Sequence, residues 1–219
     1  MNLEQARRNM IEQQIRTWEV LDLDVLQTLV AVRREAFVPT AYQALAFVDT
    51  EIPLPQGENM LSPKLEARLL QEAAVQKHES VLEIGAGSGY MAALLAHHAK
   101  QVVTVDIVPE LKSLAEKNLT NYGVHNVSVA LGDGARGWTD SESRAFDVIM
   151  LSGSLPIMPE TFLHQLNIGG RILAVVGEAP VMSACMITRV ADDAWDTVKL
   201  FETSIKALRN AEKPSAFRF

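Results

Sequence analysis

Hydrophobic positions in the first 50 residues recur at helical spacing. Leu3, Ala6, Met10 and Ile11, then Ile15 and Trp18, share one side, with Glu4, Arg7, Arg8, Glu12 and Arg16 between them, the period of an amphipathic helix. A second helix is predicted over residues 24–33, with Val25, Leu26, Leu29 and Val30 on one side. Phe37-Val38-Pro39 stops it, because proline disfavours helix at the residue before it. The period vanishes over residues 49–63, DTEIPLPQGENMLSP, which hold three prolines and a glycine. This reads as a loop, and loops of that length are more often functional than filler. Another helix is predicted from Ser62-Pro63 to about Lys77.

Strand and helix patterns then alternate. Strands are predicted at residues 81–84, 101–106, 127–131, 146–151, 171–176, 184–190 and 197–202, and helices near 89–99, 109–122 and 159–165. The near-continuous apolar runs VVTV and VIML suit a parallel sheet covered on both faces. A turn at Asp192-Asp193 with no helix between the last two strands predicts an antiparallel hairpin. The reading is α/β: a doubly wound, seven-stranded, mostly parallel sheet with an antiparallel last hairpin, preceded by an N-terminal helical region. A chain of 219 residues suits one such domain. Residues 1–77 would hold the N-terminal helices and the loop, and 78–219 the core.

The segment that carries chemistry is Val81-Leu82-Glu83-Ile84-Gly85-Ala86-Gly87-Ser88-Gly89-Tyr90. An apolar strand runs into three alternating glycines and then a helix. Glycine lets the backbone turn sharply and lets a ligand lie against it with no Cβ in the way, and the helix's first amides face the crevice beyond the strand. The dinucleotide fingerprint is G-x-G-x-x-G, built around a pyrophosphate. Here the spacing is G-x-G-x-G, and Glu83 stands two residues before the first glycine. A carboxylate there suits a cation, and S-adenosylmethionine carries an ammonium and a sulfonium but no phosphate. Asp106 ends the next strand, 21 residues after Gly85, where an acid can accept both ribose hydroxyls. Asp133, in Gly132-Asp133-Gly134, follows the third strand and is placed to reach an adenine edge. Each aspartate taken alone is also an ordinary helix cap or turn former. Three such features at the carboxyl ends of three successive strands point to a ligand crevice.

Composition narrows the field. Hydrophobic residues are 48% and charged residues 21%, as in ordinary globular chains. No run approaches the roughly 18 apolar residues of a membrane span, and the start lacks the basic-then-apolar build of a signal peptide. One cysteine, Cys185, cannot form an internal disulfide, which fits a reducing cytoplasm. A formal net charge of −7 without a basic stripe argues against nucleic acid as a partner. Five histidines and one cysteine show no metal-ligand spacing.

VLEIGAGSGY, the later GDGARGW (132–138) and QLNIGGRILAVVG (165–177) resemble the protein-L-isoaspartate O-methyltransferase family. RRNMIEQQI (7–15), RREAFVP (33–39) and the DTEIPLPQG loop (49–57) are similar too, so the resemblance covers about residues 5 to 177. It implies a Rossmann-like S-adenosylmethionine methyltransferase that methylates the free α-carboxylate of isoaspartyl residues in damaged proteins or peptides. By position it implies that Glu83, Gly85 and Gly87 line the amino-acid end of the cofactor, that Asp106 takes the ribose and that Asp133 takes the adenine. Ala86, Ser88, Gly89, Ile107 and Gly134 would complete the cofactor-binding set.

The family pattern in the substrate loop is G-x-T-I-S-x-P, with its active-site serine two residues before the proline. Here the stretch is Gly57-Glu58-Asn59-Met60-Leu61-Ser62-Pro63. Leu61 occupies the serine's position, Ser62 comes one place late, and Asn59 takes the threonine's place. Ser62 and Asn59 are the candidates for the missing polar contact. Ser62-Pro63 is equally an N-cap and N1 pair for the following helix, and the pattern favours the cap. The family's apolar-Ala-Ala stretch becomes Leu151-Ser152-Gly153-Ser154, whose serines either supply hydroxyls to the pocket or are polar loop residues before Pro156, the pattern favouring the loop. The altered loop leaves two rivals open: the same scaffold with another acceptor, and a catalytically silent cofactor binder. A nicotinamide oxidoreductase is opposed by the glycine spacing. Among the remaining residues, His97-His98 complement a helix end, Trp138 and Cys185 read as buried and inert, and the tail from Leu208, with Phe217 and Phe219, reads as docked or mobile.

Overall fold

A computed structural model describes residues 2–139 and 145–213. Its first helix, α1 (Leu3–Asn9), is capped by Asn2, whose side chain accepts from the Gln5 amide at 3.2 Å. The chain winds on through a π-helical stretch, Met10–Ile15, and a 3₁₀ turn, Arg16–Trp18, and stops at Glu19 in the left-handed region, φ 63°. α2 (Leu23–Ala31) is capped by Asp22 and buries Val25, Leu26 and Leu29. Leu3, Trp18 and Val30 depart from the predicted apolar faces and are exposed. Trp18 instead lies under the Lys64 ammonium, 3.9 Å from the ring centroid.

The segment read as a structureless loop contains a small hairpin, β1 (Ile52–Pro53) antiparallel to β2 (Asn59–Met60). Two-residue strands are too short to show a period, so they leave no mark on the pattern. Its tip turns through Gln56 (φ 60°) and Gly57 (φ 77°). α3 (Pro63–Ala73) begins at Pro63 as expected but ends four residues before Lys77, with Ala74 capping it at φ 45°. The early stop has a tertiary cause: the Arg171 guanidinium takes the carbonyls of Ala73 and Ala74.

The central strand, β3 (Ser80–Ile84), pairs in parallel with β4 (Gln101–Asp106). β5 (Val127–Leu131) lies outside β4, and β6 (Phe146–Leu151) flanks β3 on its other side, both parallel. β7 (Leu166–Glu178) follows in parallel, then β8 (Val181–Ala191) and β9 (Ala194–Thr203), each antiparallel to the strand before it. The antiparallel end is therefore a three-strand meander, longer than the predicted hairpin, because a turn at Ala179-Pro180 reverses the chain once more. Helices α4 (Tyr90–His98), α5 (Pro109–Tyr122) and α6 (Glu160–His164) connect the parallel strands. Among the described residues no helix is long and apolar enough to cross a membrane.

The strand centres are buried on both faces: Leu82, Val81 and Ile149 are fully enclosed. Two polar residues share that interior, Glu83 and Thr104, paired directly across β3 and β4. Cys185 is buried as read, and burial pushes its thiol up. Phe217 and Phe219 lie outside the described residues.

Candidate functional site

The carboxyl ends of β3, β4, β5 and β6 open on one crevice. Gly85, Gly87 and Gly89 have φ of 98°, 51° and 83°, a region that L side chains resist. The Gly85 and Ala86 amides bond the Val105 carbonyl at 2.8 and 3.1 Å, which locks the loop to β4. Gly85, Gly87, Asp106, Ile107, Asp133 and Gly134 all line the crevice. A Cβ on Gly134 would come within 2.7 Å of Ile84 Cδ1, so the glycine keeps that wall open.

Asp106 accepts from the Gly87 amide through Oδ2 and from the Val108 amide through Oδ1, each at 2.9 Å. Burial raises its pKa against those two bonds. Asp133 is exposed and accepts from the Ala135 amide at 3.1 Å and from Asn210 Nδ2 at 2.8 Å. The structure thus gives Asp133 the turn-forming role and also a position on the crevice wall.

Glu83, Ala86 and Ser88 border a small inner cavity with Glu66 and Tyr90, and this cavity adjoins the crevice, sharing Asn59, Leu61, Gly85, Gly87 and Ser152 with it. Gly89 borders neither cavity; it caps α4, and a Cβ added there would come within 3.2 Å of the Ala115 carbonyl of α5. Glu83 is fully buried, and its oxygens accept from Thr104 Oγ1 at 2.7 Å and Ser152 Oγ at 2.8 Å. Burial pushes its carboxyl up to about 8, against those two hydrogen bonds. Ser152 thus brings a hydroxyl to the pocket, the less favoured of the two sequence readings. Ser154 is wholly buried and donates to the Ile205 carbonyl at 3.1 Å.

In the altered loop, Asn59 and Leu61 line the crevice and Ser62 does not. Ser62 faces a separate groove with Trp18, Glu51, Lys64, Arg68 and Phe201. It holds the N-cap position of α3, yet its hydroxyl makes no capping bond; its carbonyl instead takes the Leu65 and Glu66 amides. Alternate side chains of an extended segment point opposite ways, so moving a serine one place moves its hydroxyl out of the crevice.

Leu61 is held from behind. Arg34 Nη2 donates to its carbonyl at 2.8 Å, and Arg34 forms a buried ion pair with Glu66. Burial pushes the Glu66 carboxyl up to about 7 despite the guanidinium. Neither charge was singled out by the pattern; a pair 32 residues apart leaves no local signal. The segment after β9 roofs the crevice. Leu208 packs over Gly85 and Gly153, while Lys206 and Arg209 both pair with Glu58. Burial works upward on Glu58, but the two cations outweigh it and hold the carboxyl below its ordinary value. Trp138 is half-buried, its ring filling the space beside Gly132, and His98 bonds Thr28 Oγ1 at 2.7 Å as a packing residue.

Comparison with known proteins gives a consistent match. The model of the family "Protein-L-isoaspartate(D-aspartate) O-methyltransferase" matches residues 5–204. A protein-L-isoaspartate O-methyltransferase of Koribacter versatilis is 38% identical over 183 residues, 84% of this chain and 81% of the relative. One from Petrotoga mobilis is 33% identical over 192 residues, covering 88% and 90%. A Plasmodium falciparum chain assigned to the same activity and solved with S-adenosyl-L-homocysteine superposes with a TM-score of 0.80 at 18% identity, covering 95% of this chain and 99% of that one. A second structure, a protein-L-isoaspartate O-methyltransferase, gives 0.78 at 24% identity, covering 92% and 65%. At those identities the two structures speak to the fold alone.

Proposed function

Because the chain belongs to the protein-L-isoaspartate(D-aspartate) O-methyltransferase family, we propose that it methylates the free α-carboxylate of isoaspartyl residues in proteins or peptides. S-adenosylmethionine is the cofactor and, when bound, supplies a methyl group on a sulfonium. The observation that carries the reading is the family match over residues 5–204, a span that includes both the glycine-loop crevice and the altered substrate loop. The single cysteine supports a cytoplasmic setting, and the net charge of −7 supports a protein partner over nucleic acid.

The residues present fit the cofactor. Positive-φ glycines leave the loop bare, and Asp106 and Asp133 offer acceptors suited to hydroxyls and an exocyclic amine. The two cations at the rim, Lys206 and Arg209, are committed to Glu58 and seat no phosphate. In our assignment Asp106 takes the ribose hydroxyls, Asp133 with Gly134 borders the adenine, and Gly85, Gly87 and Glu83 hold the amino-acid end.

The acceptor carboxylate has a pKa near 4 and is ionised at pH 7, so the chain needs no general base. Its task is to aim an oxygen and strip water from it, and orientation is worth several kcal/mol. Leu61, pinned through its carbonyl by Arg34, supplies a dry wall. Asn59 supplies the polar contact from the same strand edge.

Labelled methyl transfer to an isoaspartyl peptide, beside the same peptide with ordinary aspartate, tests the reading. Selective labelling of the first is expected; equal labelling, or none with cofactor bound, would sink it. Within that assay Asn59→Ala is expected to lower kcat/KM about tenfold, the value of one hydrogen bond. Ser62→Ala is expected to stay within about twofold, since its hydroxyl faces the other groove. A second reading, another carboxylate acceptor, is favoured by Leu61 replacing a hydroxyl on the crevice wall; a panel of small carboxylates separates the two.

A further inference from the structure

Glu83 is a fully buried carboxyl whose two oxygen partners are both neutral hydroxyls, Thr104 on β4 and Ser152 just past β6. The other charged or titratable groups facing it are Asp106 at the end of β4, Glu66 on α3 and Tyr90 on α4. Arg34, whose guanidinium lies over the Tyr90 ring, is committed to Glu66 and to the Leu61 carbonyl. A carboxyl in such surroundings stays protonated until a cation arrives. Ser152 borders both the crevice and the inner cavity, as do Asn59, Leu61, Gly85 and Gly87, and among these five it alone bonds Glu83 through its side chain. Its main-chain amide is tied to the Ile84 carbonyl at 2.9 Å, which fixes the hydroxyl's origin.

We propose that Ser152 is a positioning residue for cofactor capture, holding Glu83 as the acceptor for the cationic amino-acid end and coupling binding to release of one proton from that carboxyl. The proposal rests on the assignment of Glu83 to that end of the cofactor. The balance is simple. Glu83 loses its O–H proton to solvent buffer, keeps the electron pair as a carboxylate, and gains the ligand ammonium as counter-ion. Once the carboxyl is ionised, Thr104 and Ser152 each donate to one of its oxygens.

The sign follows from linkage. Burial holds free Glu83 near 8, and the bound state prefers the carboxylate, so binding strengthens as pH rises toward 8. Ser152 donates to the ionised form, and its removal raises the carboxyl further and moves the rise to higher pH.

The test is calorimetric titration of the full chain with S-adenosylhomocysteine in phosphate and in Tris. Between pH 6 and 7 the difference between buffers should report close to one proton released. Ser152→Ala should weaken binding about tenfold at pH 7, the effect of roughly one pKa unit, and far less at pH 9, with Ser152→Thr restoring the wild-type profile. The ligand's own amine titrates identically in all proteins and cancels in the comparison. No proton release in wild type, or a Ser152→Ala loss equal at pH 6, 7 and 9, overturns the inference and leaves the assignment of Glu83 intact. Unchanged affinity in Glu83→Gln overturns that assignment itself.

Discussion

Asp106→Ala should raise the dissociation constant for S-adenosylhomocysteine by about 10²–10⁴-fold, because the carboxylate offers two charge-assisted acceptors, each worth about 1.5–3 kcal/mol. The same side chain ties down the Gly87 and Val108 amides, so its loss also frees the glycine loop. Asp106→Asn keeps an acceptor and the shape, and should cost about tenfold. Since burial raises the Asp106 pKa, binding by the ionised form should weaken on acidification, starting above the pH expected for an ordinary aspartate. Isothermal titration reads all three effects. If Asp106→Ala binds within threefold of wild type, Asp106 is a turn former and the ribose assignment is wrong.

Arg34→Met should be the most damaging single change to stability, costing about 3–5 kcal/mol at pH 8.5, the range for stranding one partner of a buried ion pair. Glu66 would then be a buried carboxylate without its guanidinium. The pH dependence separates this from simple loss of packing. The folded-state pKa of Glu66 is raised to about 7, so its protonated form contributes stability below the ordinary carboxylate value, and that contribution is lost as pH rises through 7. Without Arg34 the carboxyl rises further, so the deficit should shrink at pH 5.5 and widen at pH 8.5. Arg34→Met/Glu66→Met should recover more than half of the loss, since a well-packed apolar pair replaces a buried ion pair at little cost. Urea unfolding at the two pH values measures this; an equal deficit at both means that Arg34 acts through packing. Because Arg34 also holds the Leu61 carbonyl, the single variant should lose methyl transfer even where it remains folded.

The glycine-loop crevice was legible because its signals are local. A strand, three glycines and a helix are contiguous in the chain, and the backbone there needs φ values that only glycine adopts freely. Asp106 and Asp133 follow directly from strand order, since parallel strands deliver their last residues to one edge. Periodicity likewise placed the five parallel strands and most helices within a few residues. It failed where a neighbour distant in sequence decides: α3 stops because Arg171 caps it, and Trp18 stays outside because Lys64 covers it.

The acceptor half was legible as a departure but not as a geometry. That Leu61 stands in a serine's place is visible in the letters; that Ser62 then faces away follows from the alternation of side chains along an extended segment docked against the crevice. Thr104 carried a faint signal, a hydroxyl inside VVTV opposite Glu83. Ser152 stood out as a changed residue whose hydroxyl had no visible target, and the Arg34–Glu66 pair and the Lys206–Glu58–Arg209 roof carried no signal. By itself the sequence determined the sheet, the glycine loop and the charge of the ligand it suits, because these depend on backbone sterics and on residues a few positions apart. The tertiary structure decided which hydroxyl reaches Glu83, which side of the loop faces the crevice and what closes over it, because burial and hydrogen bonding between distant segments exist only once the chain has packed.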